Sequence, residues 1–275
     1  MTRSSSGARS AGAQPSHRAR EIAESFGTDP ERYDRTRPRY PDAMVRAVVA
    51  ASPGRDLLDV GIGTGIAARQ FRAAGCEVLG VDVDARMADY ARAFGIEVEV
   101  AKFEDWDAAG RTFDAVIAGQ TWHWVEPDAG ATKAAAVLRP RGRIALFWNV
   151  FEMPEQVRDA VASAHRRVLG EMPFLQGESG GIASYIQQFA KAADGIRRSR
   201  AFDEPEQWRF DWEKTYSKDE WLDQVPGYGG YNRLAPEQLE RLLAELGAVA
   251  DSVGGTFVMH YATVVVTAVV SSGAS

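Results

Sequence analysis

The run Leu57-Leu58-Asp59-Val60-Gly61-Ile62-Gly63-Thr64-Gly65 constrains this chain more than any other stretch. An apolar segment ends in three glycines at alternate positions, and Ile66, Ala67, Gln70 and Phe71 then share one face at helical spacing. Such a pattern reads as a strand turning sharply into a helix. Glycines at the turn let the backbone bend tightly and let a ligand come close. The opening turn of the helix offers free N–H groups, which favour an anionic ligand group. A glycine triplet alone also suits a strand-to-helix turn with no ligand, so its neighbours must decide.

Around the loop, short apolar runs alternate with helical patterns, the signature of a parallel sheet wrapped by helices. Strands are expected at Leu57–Val60, Glu77–Val81, Glu97–Ala101, Phe113–Ala118 and Arg143–Trp148. Helical spacing fills Ala85–Phe94 and Pro127–Leu138, and Pro41–Ala51 reads as a helix opened by proline. After Asn149 come helical patterns at Pro154–Leu169, Ile182–Ile196 and Pro236–Leu246. Trp208–Trp212 alternates like a strand, and Thr256–Val270 is β-branched and alternating.

The expected fold class is α/β: a Rossmann-like, seven-stranded, mostly parallel sheet with helices on both faces and a small aromatic-rich cap insertion. Residues 23–149 form the ligand-binding core, 150–232 the cap, and 233–275 a helix and strands that complete the sheet. Residues 1–22 read as a disordered tail, because Met1–Arg20 is rich in Ser, Gly, Ala and Arg and contains no acid. A mitochondrial transit segment shares that bias, but Gly12 and Pro15 disfavour the amphipathic helix it needs.

With 275 residues, 45% hydrophobic and 25% charged, the composition is that of a globular domain. A net charge of -6 gives no global attraction to nucleic acid or anionic lipid. The single cysteine, Cys76, leaves no intramolecular disulfide and fits a reducing, cytoplasmic setting. The longest apolar stretch, Thr263–Val270, is too short to span a bilayer. These features point to an enzyme that handles small molecules.

Two details give the loop its chemistry. The dinucleotide pattern wants a small residue three beyond the second glycine, and Ile66 stands there. Asp59, two residues before the first glycine, would repel a pyrophosphate and suits the amino group of a zwitterion. Asp82, at the end of Leu79-Gly80-Val81-Asp82, can accept both hydroxyls of a ribose. Asp84 reads as a helix N-cap.

The pattern Asp59-x-Gly61-x-Gly63-x-Gly65 followed by Gly80-Val81-Asp82 resembles the class I S-adenosylmethionine-dependent methyltransferases. Phe113-Asp114-Ala115-Val116 and Val137-Leu138-Arg139-Pro140-Arg141-Gly142 look like that family's fourth strand and its entry to the fifth, with Arg141 in place of the usual glycine. Tyr33, Arg37-Pro38-Arg39-Tyr40-Pro41 and Gln120-Thr121-Trp122-His123-Trp124 look like a subgroup related to trans-aconitate methyltransferases and similar small-molecule enzymes. The general resemblance spans Phe26 to Asn149.

The resemblance implies S-adenosylmethionine as cofactor, with Gly61 and Gly63 against its methionine part and Asp59 and Gly65 also among the cofactor-binding residues. It puts Asp82 on the ribose, Phe103 and Glu104 at the adenine, and Gln120 near the reactive end. Tyr33, Arg37 and Trp122 are candidates for the substrate, and holding the N-terminal segment over the cofactor is the competing role of Arg37. His123 is the candidate general base, since an unperturbed imidazole titrates near neutrality; packing beneath the cofactor is its competing role. His17, His165 and His260 join no carboxylate cluster, so no metal is expected.

The cap aromatics Phe174, Tyr185, Phe189, Trp208, Phe210, Trp212, Tyr228 and Tyr231 either form its core or line an apolar pocket, and Val225–Tyr231 is glycine-rich enough for a lid. The expected reaction is O-methylation of a carboxylate or hydroxyl on a small organic molecule. An NAD(P)-dependent oxidoreductase and a non-catalytic S-adenosylmethionine-binding protein are the alternatives.

Overall fold

The structure, a computed structural model, describes residues 26–170, 181–228, 231 and 234–271. The expected tail over 1–22 and the cap residue Phe174 lie outside them. Strands β1 (Asp56–Val60), β2 (Glu77–Asp82), β3 (Glu97–Val100), β4 (Phe113–Gly119), β5 (Leu138–Glu152), β6 (Glu206–Ser217) and β7 (Thr256–Val269) form one sheet in the order β3-β2-β1-β4-β5-β7-β6. The first five are parallel, and β7 runs antiparallel between β5 and β6. The order reverses between β1 and β4, which is where open α/β sheets leave a crevice for ligands at the carboxyl ends of the strands.

The helices are α1 (Pro30–Thr36), α2 (Asp42–Ala51), α3 (Ile66–Ala73), α4 (Ala85–Arg92), α5 (Pro127–Val137), α6 (Glu155–Leu169), α7 (Gly181–Ser199), α8 (Lys218–Gln224) and α9 (Pro236–Ser252). Their apolar faces cover both sides of the sheet. Ala131 and Ala134 of α5, with Phe189, Ala192 and Ile196 of α7, pack on Leu58, Val116, Leu146 and Val264. On the other face, Val48 of α2, Phe71 of α3 and Ala91 of α4 pack on Leu57, Ile117, Phe147 and Val265. The central strands are buried on both sides, which is why they read as continuous apolar runs.

A third core lies beyond the parallel strands. β5 continues past Trp148 to Glu152 and pairs with β7 as far as Glu152 and His260. Phe257, Met259 and Tyr261 lie on the same side of β7 as Val265 and pack there with Val161, Trp221, Leu242 and Leu246. The long β5-β7-β6 portion thus overhangs the carboxyl edge of the sheet, carrying α6, α8 and α9.

This corrects the expected cap. The segment 150–232 is not a separate insertion, because β6 within it pairs with β7 along its whole length, from Glu206 opposite Thr267 to Ser217 opposite Thr256. Arg141 takes φ 63, the conformation the expected glycine would supply. There β5 bulges before its register with β4 resumes at Arg143. Among the described residues no helix is long and apolar enough to cross a membrane.

Candidate functional site

At the end of β1 the chain enters the glycine turn, whose shape follows from two backbone donors. Gly61 and Ile62 both donate to the Val81 carbonyl, at 2.7 and 3.2 Å, which ties the turn to the end of β2. Gly61 sits at φ 64, a conformation costly for residues with a Cβ, and a Cβ there would run into the Thr121 side chain. Gly80 is needed for a related reason: a Cβ on it would strike Ile62, which folds back over β2. The glycine of Gly80-Val81-Asp82 is therefore a packing requirement of the turn.

An open cleft lies at this edge, between the glycine turn, the end of β2, the turn after β3 and the end of β4. Gly61, Gly63, Asp82, Phe103, Glu104, Gln120 and Tyr33 all reach its wall. Asp82 Oδ2 accepts from the Gly63 N–H at 2.7 Å, and Oδ1 accepts from the Asp84 N–H at 2.9 Å. A carboxylate has about four lone-pair sites, so both oxygens keep acceptor capacity for a ligand. Burial raises the Asp82 pKa, and the two N–H groups pull part of that back.

The far end of the cleft is aromatic. Phe103 and Glu104 stand in a 3-10 turn after β3, with Phe103 stacked on Trp106 at 6.5 Å. Glu104 Oε1 accepts from the Glu126 N–H at 2.9 Å, so it also holds the start of α5. Gln120 closes β4 at φ 56, with its N–H on the Phe147 carbonyl and its Nε2 on the Asn149 carbonyl. A left-handed non-glycine residue costs about 1–2 kcal/mol and persists where neighbours hold it, often at functional sites.

Other sequence candidates stand elsewhere. Gly65 is absent from the wall; a Cβ on it would meet Ile96 at 2.9 Å, so it serves the packing of α3 against α4 and β3. Asp59 is buried beneath the turn and also absent from the wall, with Oδ2 lacking a partner. Burial, and then the charge of Asp82, push its pKa well up, while the Ala68 N–H draws it back. That position does not bring Asp59 to an amino group in the cleft.

Trp122 departs from its expected place too. It is 2% exposed, packs against Phe103 and rests on Gly130 of α5, whereas Trp124 lines the cleft. Residues 122–124 form a 3-10 turn, so neighbouring side chains point about a third of a turn apart. Sequence spacing alone could not tell which tryptophan faces the ligand. Met87 and Thr121 also line the wall, and nothing in their residue type or spacing sets them apart from their neighbours.

Arg37 is not on the wall. Its guanidinium lies 4.9 Å from the Tyr33 ring and 4.7 Å from the Tyr228 ring, and it donates to the Gly227 carbonyl at 2.5 Å. With Arg35 paired to Asp223 of α8, and Asp34 to Arg69 of α3, this fastens α1 across the cleft mouth. Val225–Gly227, expected as part of a lid, is a 3-10 turn whose Gly227 takes this contact; Gly229 and Gly230 lie outside the described residues.

His123 is packed as a neutral ring. The Trp148 indole N–H donates to Nδ1 at 3.4 Å, and the Trp124 ring lies 4.6 Å away. With Nδ1 accepting, the neutral ring carries its proton on Nε2 and has no second lone pair to act as a base. Desolvation lowers its pKa from 6.5 to about 4. Between those values the unfolded chain binds a proton that the folded chain refuses. Stability from the neutral ring, complete above pH 6.5, is lost as pH falls towards about 4.

His123→Gln, which keeps a neutral acceptor for Trp148, should leave methyl transfer within about threefold, where a true general base would cost about a hundredfold. Its urea midpoint should also fall less than that of the wild type between about pH 7 and about pH 4.5. A hundredfold loss of turnover with unchanged donor affinity would return His123 to the role of base.

Comparison with known proteins follows the same lines. Residues 58–146 match a methyltransferase domain family. An uncharacterized methyltransferase of Mycobacterium tuberculosis is 36% identical over 133 residues, 47% of this chain and 54% of the relative. The chain therefore spans about half the length of the first curated relatives it matches, which include the Mycobacterium bovis counterpart at the same 54%. An uncharacterized methyltransferase of Schizosaccharomyces pombe is 23% identical over 238 residues, covering 84% of this chain and 89% of its own. Among solved structures, a putative type II methyltransferase from Anaeromyxobacter dehalogenans shares the fold, with TM-score 0.61, 23% identity, and coverage of 84% of this chain and 97% of that one.

Proposed function

We propose that the chain, whose residues 58–146 match a methyltransferase domain, uses S-adenosylmethionine to transfer a methyl group to an oxygen of a small organic molecule, a carboxylate first among acceptors. The observation that carries this reading is the cleft itself, where a glycine turn without side chains and a carboxylate with spare acceptor capacity face the same space. The methyltransferase domain overturns the nicotinamide reading, which Ile66 already opposed.

The residues present fit the donor. Gly61 and Gly63 leave room where a Cβ would intrude on Thr121 or reach Met87 at 3.6 Å, so a ligand's methionine part can approach the backbone. Asp82 would hold the ribose hydroxyls, and Phe103 with Glu104 would flank the adenine. Gln120, fixed to Asn149, would stand near the reactive end. Bound there, the donor supplies an electrophilic methyl group on a sulfonium. The chain's part is to hold the acceptor oxygen in line and keep water out, which can supply much of the acceleration.

A small acceptor suits the geometry because α1, which brings Tyr33 to the cleft wall, is fastened there by Asp34, Arg35 and Arg37. A net charge of -6 adds no attraction for nucleic acid. A carboxylate suits the chemistry because it is already deprotonated and needs no base, while His123 is held neutral with Nδ1 engaged.

The test is to incubate the chain with methyl-labelled S-adenosylmethionine and a metabolite extract. Formation of S-adenosylhomocysteine with label released as volatile methanol in alkali is the expected result. A base-stable product would overturn the carboxylate, and donor binding with no S-adenosylhomocysteine would point to a non-catalytic binding protein.

A further inference from the structure

β6 closes one end of the sheet, and among the described residues no strand pairs with its outer edge. At 12 residues it is about twice the usual strand length. Its register with β7 runs unbroken from Glu206 opposite Thr267 to Ser217 opposite Thr256, with no bulge, proline or glycine along it. Such an edge presents unpaired N–H and C=O groups that template another strand. Proteins that keep an edge single shorten it, bulge it, or stud it with proline and unmatched charge. Since β6 is long, regular and free of proline, its charges decide.

Side chains alternate between its two faces. Trp208, Phe210 and Trp212 lie half-buried on one. Trp208 and Phe210 pack at the margin of the core that holds Phe147 and Val265, and Trp212 stacks on Tyr261 at 4.2 Å. On the other face Arg209, Asp211 and Glu213 are exposed, and Arg209 Nε donates to Asp211 Oδ1 at 2.8 Å. A guanidinium has five N–H donors, so Arg209 can hold a second carboxylate beside this one.

A strand paired antiparallel with its own copy about a two-fold axis sets each residue opposite one on the same face, so the residue on the axis fixes the register. With Phe210 there, Arg209 faces Asp211 of the second copy, and Asp211 faces its Arg209. Joined to the pair within each strand, these make a ring of four charges alternating in sign. Glu206 then faces Lys214, and Trp208 faces Trp212, an aromatic pair of the kind that stabilises strand pairing. Other registers fit worse. Moving the axis one residue either way sets Arg209 against Arg209 or Asp211 against Asp211, and like charges directly opposite are unfavourable. The Asp211 axis does match Arg209 with Glu213, but with two aspartates facing at its centre. An axis at Trp212 sets Asp211 against Glu213, and one at Trp208 draws in Pro205 and matches no charges.

We propose that this edge is a dimer interface, in which residues 206–214 of two copies of this chain pair antiparallel about an axis at Phe210 and join the two sheets into one.

Sedimentation of the full chain across the micromolar range tests this. The wild type should run as a dimer that dissociates on dilution. Arg209→Asp turns both facing pairs into repulsions, the axis doubling the effect, and should weaken the dimer by about tenfold or more. Asp211→Arg should do the same. The double variant Arg209→Asp, Asp211→Arg rebuilds the ring with its signs exchanged and should recover the wild-type dimer to within about threefold. With the axis at Asp211 the double variant would stay weak, because position 209 would then face Glu213 with like charge. Both side chains are exposed, so circular dichroism should show every variant folded.

A monomeric wild type overturns the proposal. So does a dimer indifferent to Arg209→Asp, which would have to use another surface. A double variant no tighter than either single one removes the axis from Phe210 and overturns it too.

Discussion

Replacing Asp82 with alanine is expected to weaken S-adenosylmethionine binding at least about a hundredfold while the chain stays folded. Hydrogen bonds to a charged group are each worth about 1.5–3 kcal/mol, so losing two ribose contacts removes about 3–6 kcal/mol. The fold loses less. Asp82 gives up acceptors for the Gly63 and Asp84 N–H groups, but alanine also removes a buried charge close to buried Asp59. These effects oppose each other, and a net cost of about 1 kcal/mol is expected.

Asp82→Asn, which keeps one acceptor oxygen and the side-chain shape, should bind about tenfold more weakly than the wild type. Burial raises the Asp82 pKa, so donor affinity should begin to fall at a higher pH than for an ordinary aspartate. Calorimetry with S-adenosylhomocysteine, beside circular dichroism for folding, reads these effects. Unchanged affinity in the alanine variant would remove the ribose from Asp82.

What could be read in advance depended on how local each feature is. β1, β2 and β4 are covered on both faces, so their burial is written into single apolar runs such as Leu57–Val60. The length of β5 is not local. Its extension to Glu152 exists because β7 arrives more than a hundred residues later to pair with it. For the same reason the alternation at Trp208–Trp212 revealed a strand but not its sheet, since its partners are Thr263, Val265 and Tyr261.

One local signal was overlooked. Asp29 caps α1 by accepting the Arg32 N–H, with Pro30 at the first position of the helix. In the site, spacing anticipated that Gly61, Gly63 and Asp82 would reach one cleft wall, because backbone geometry dictates that much. It did not anticipate that Asp59, Gly65 and Trp122 lie off that wall, because burial under a turn, or a one-third rotation in a 3-10 segment, leaves no mark in residue type.

Gly61→Ala should destabilise the chain and abolish measurable donor binding, and Gly95→Ala separates the two causes. Both glycines hold positive φ, 64 at Gly61 and 71 at Gly95, so alanine at either carries a backbone cost of about 1–2 kcal/mol. At Gly95 nothing lies within 4 Å of the added Cβ, so the backbone cost stands alone. At Gly61 the Cβ meets the Thr121 side chain, whose Oγ1, Cγ2 and Cβ are all too close.

Relief at Gly61 requires the turn to move away from the segment after β4. The N–H groups of Gly61 and Ile62, both held by the Val81 carbonyl, resist that movement. A further loss of about 1–3 kcal/mol follows, as for other overpacked sites. The added methyl itself also occupies the space between the turn and Thr121, so the donor loses its approach to the backbone as well. Urea unfolding should rank wild type above Gly95→Ala and Gly95→Ala above Gly61→Ala, with S-adenosylhomocysteine binding lost only in the last. If Gly61→Ala unfolds like Gly95→Ala and binds like the wild type, the turn yields easily and close backbone approach is not what the glycine provides.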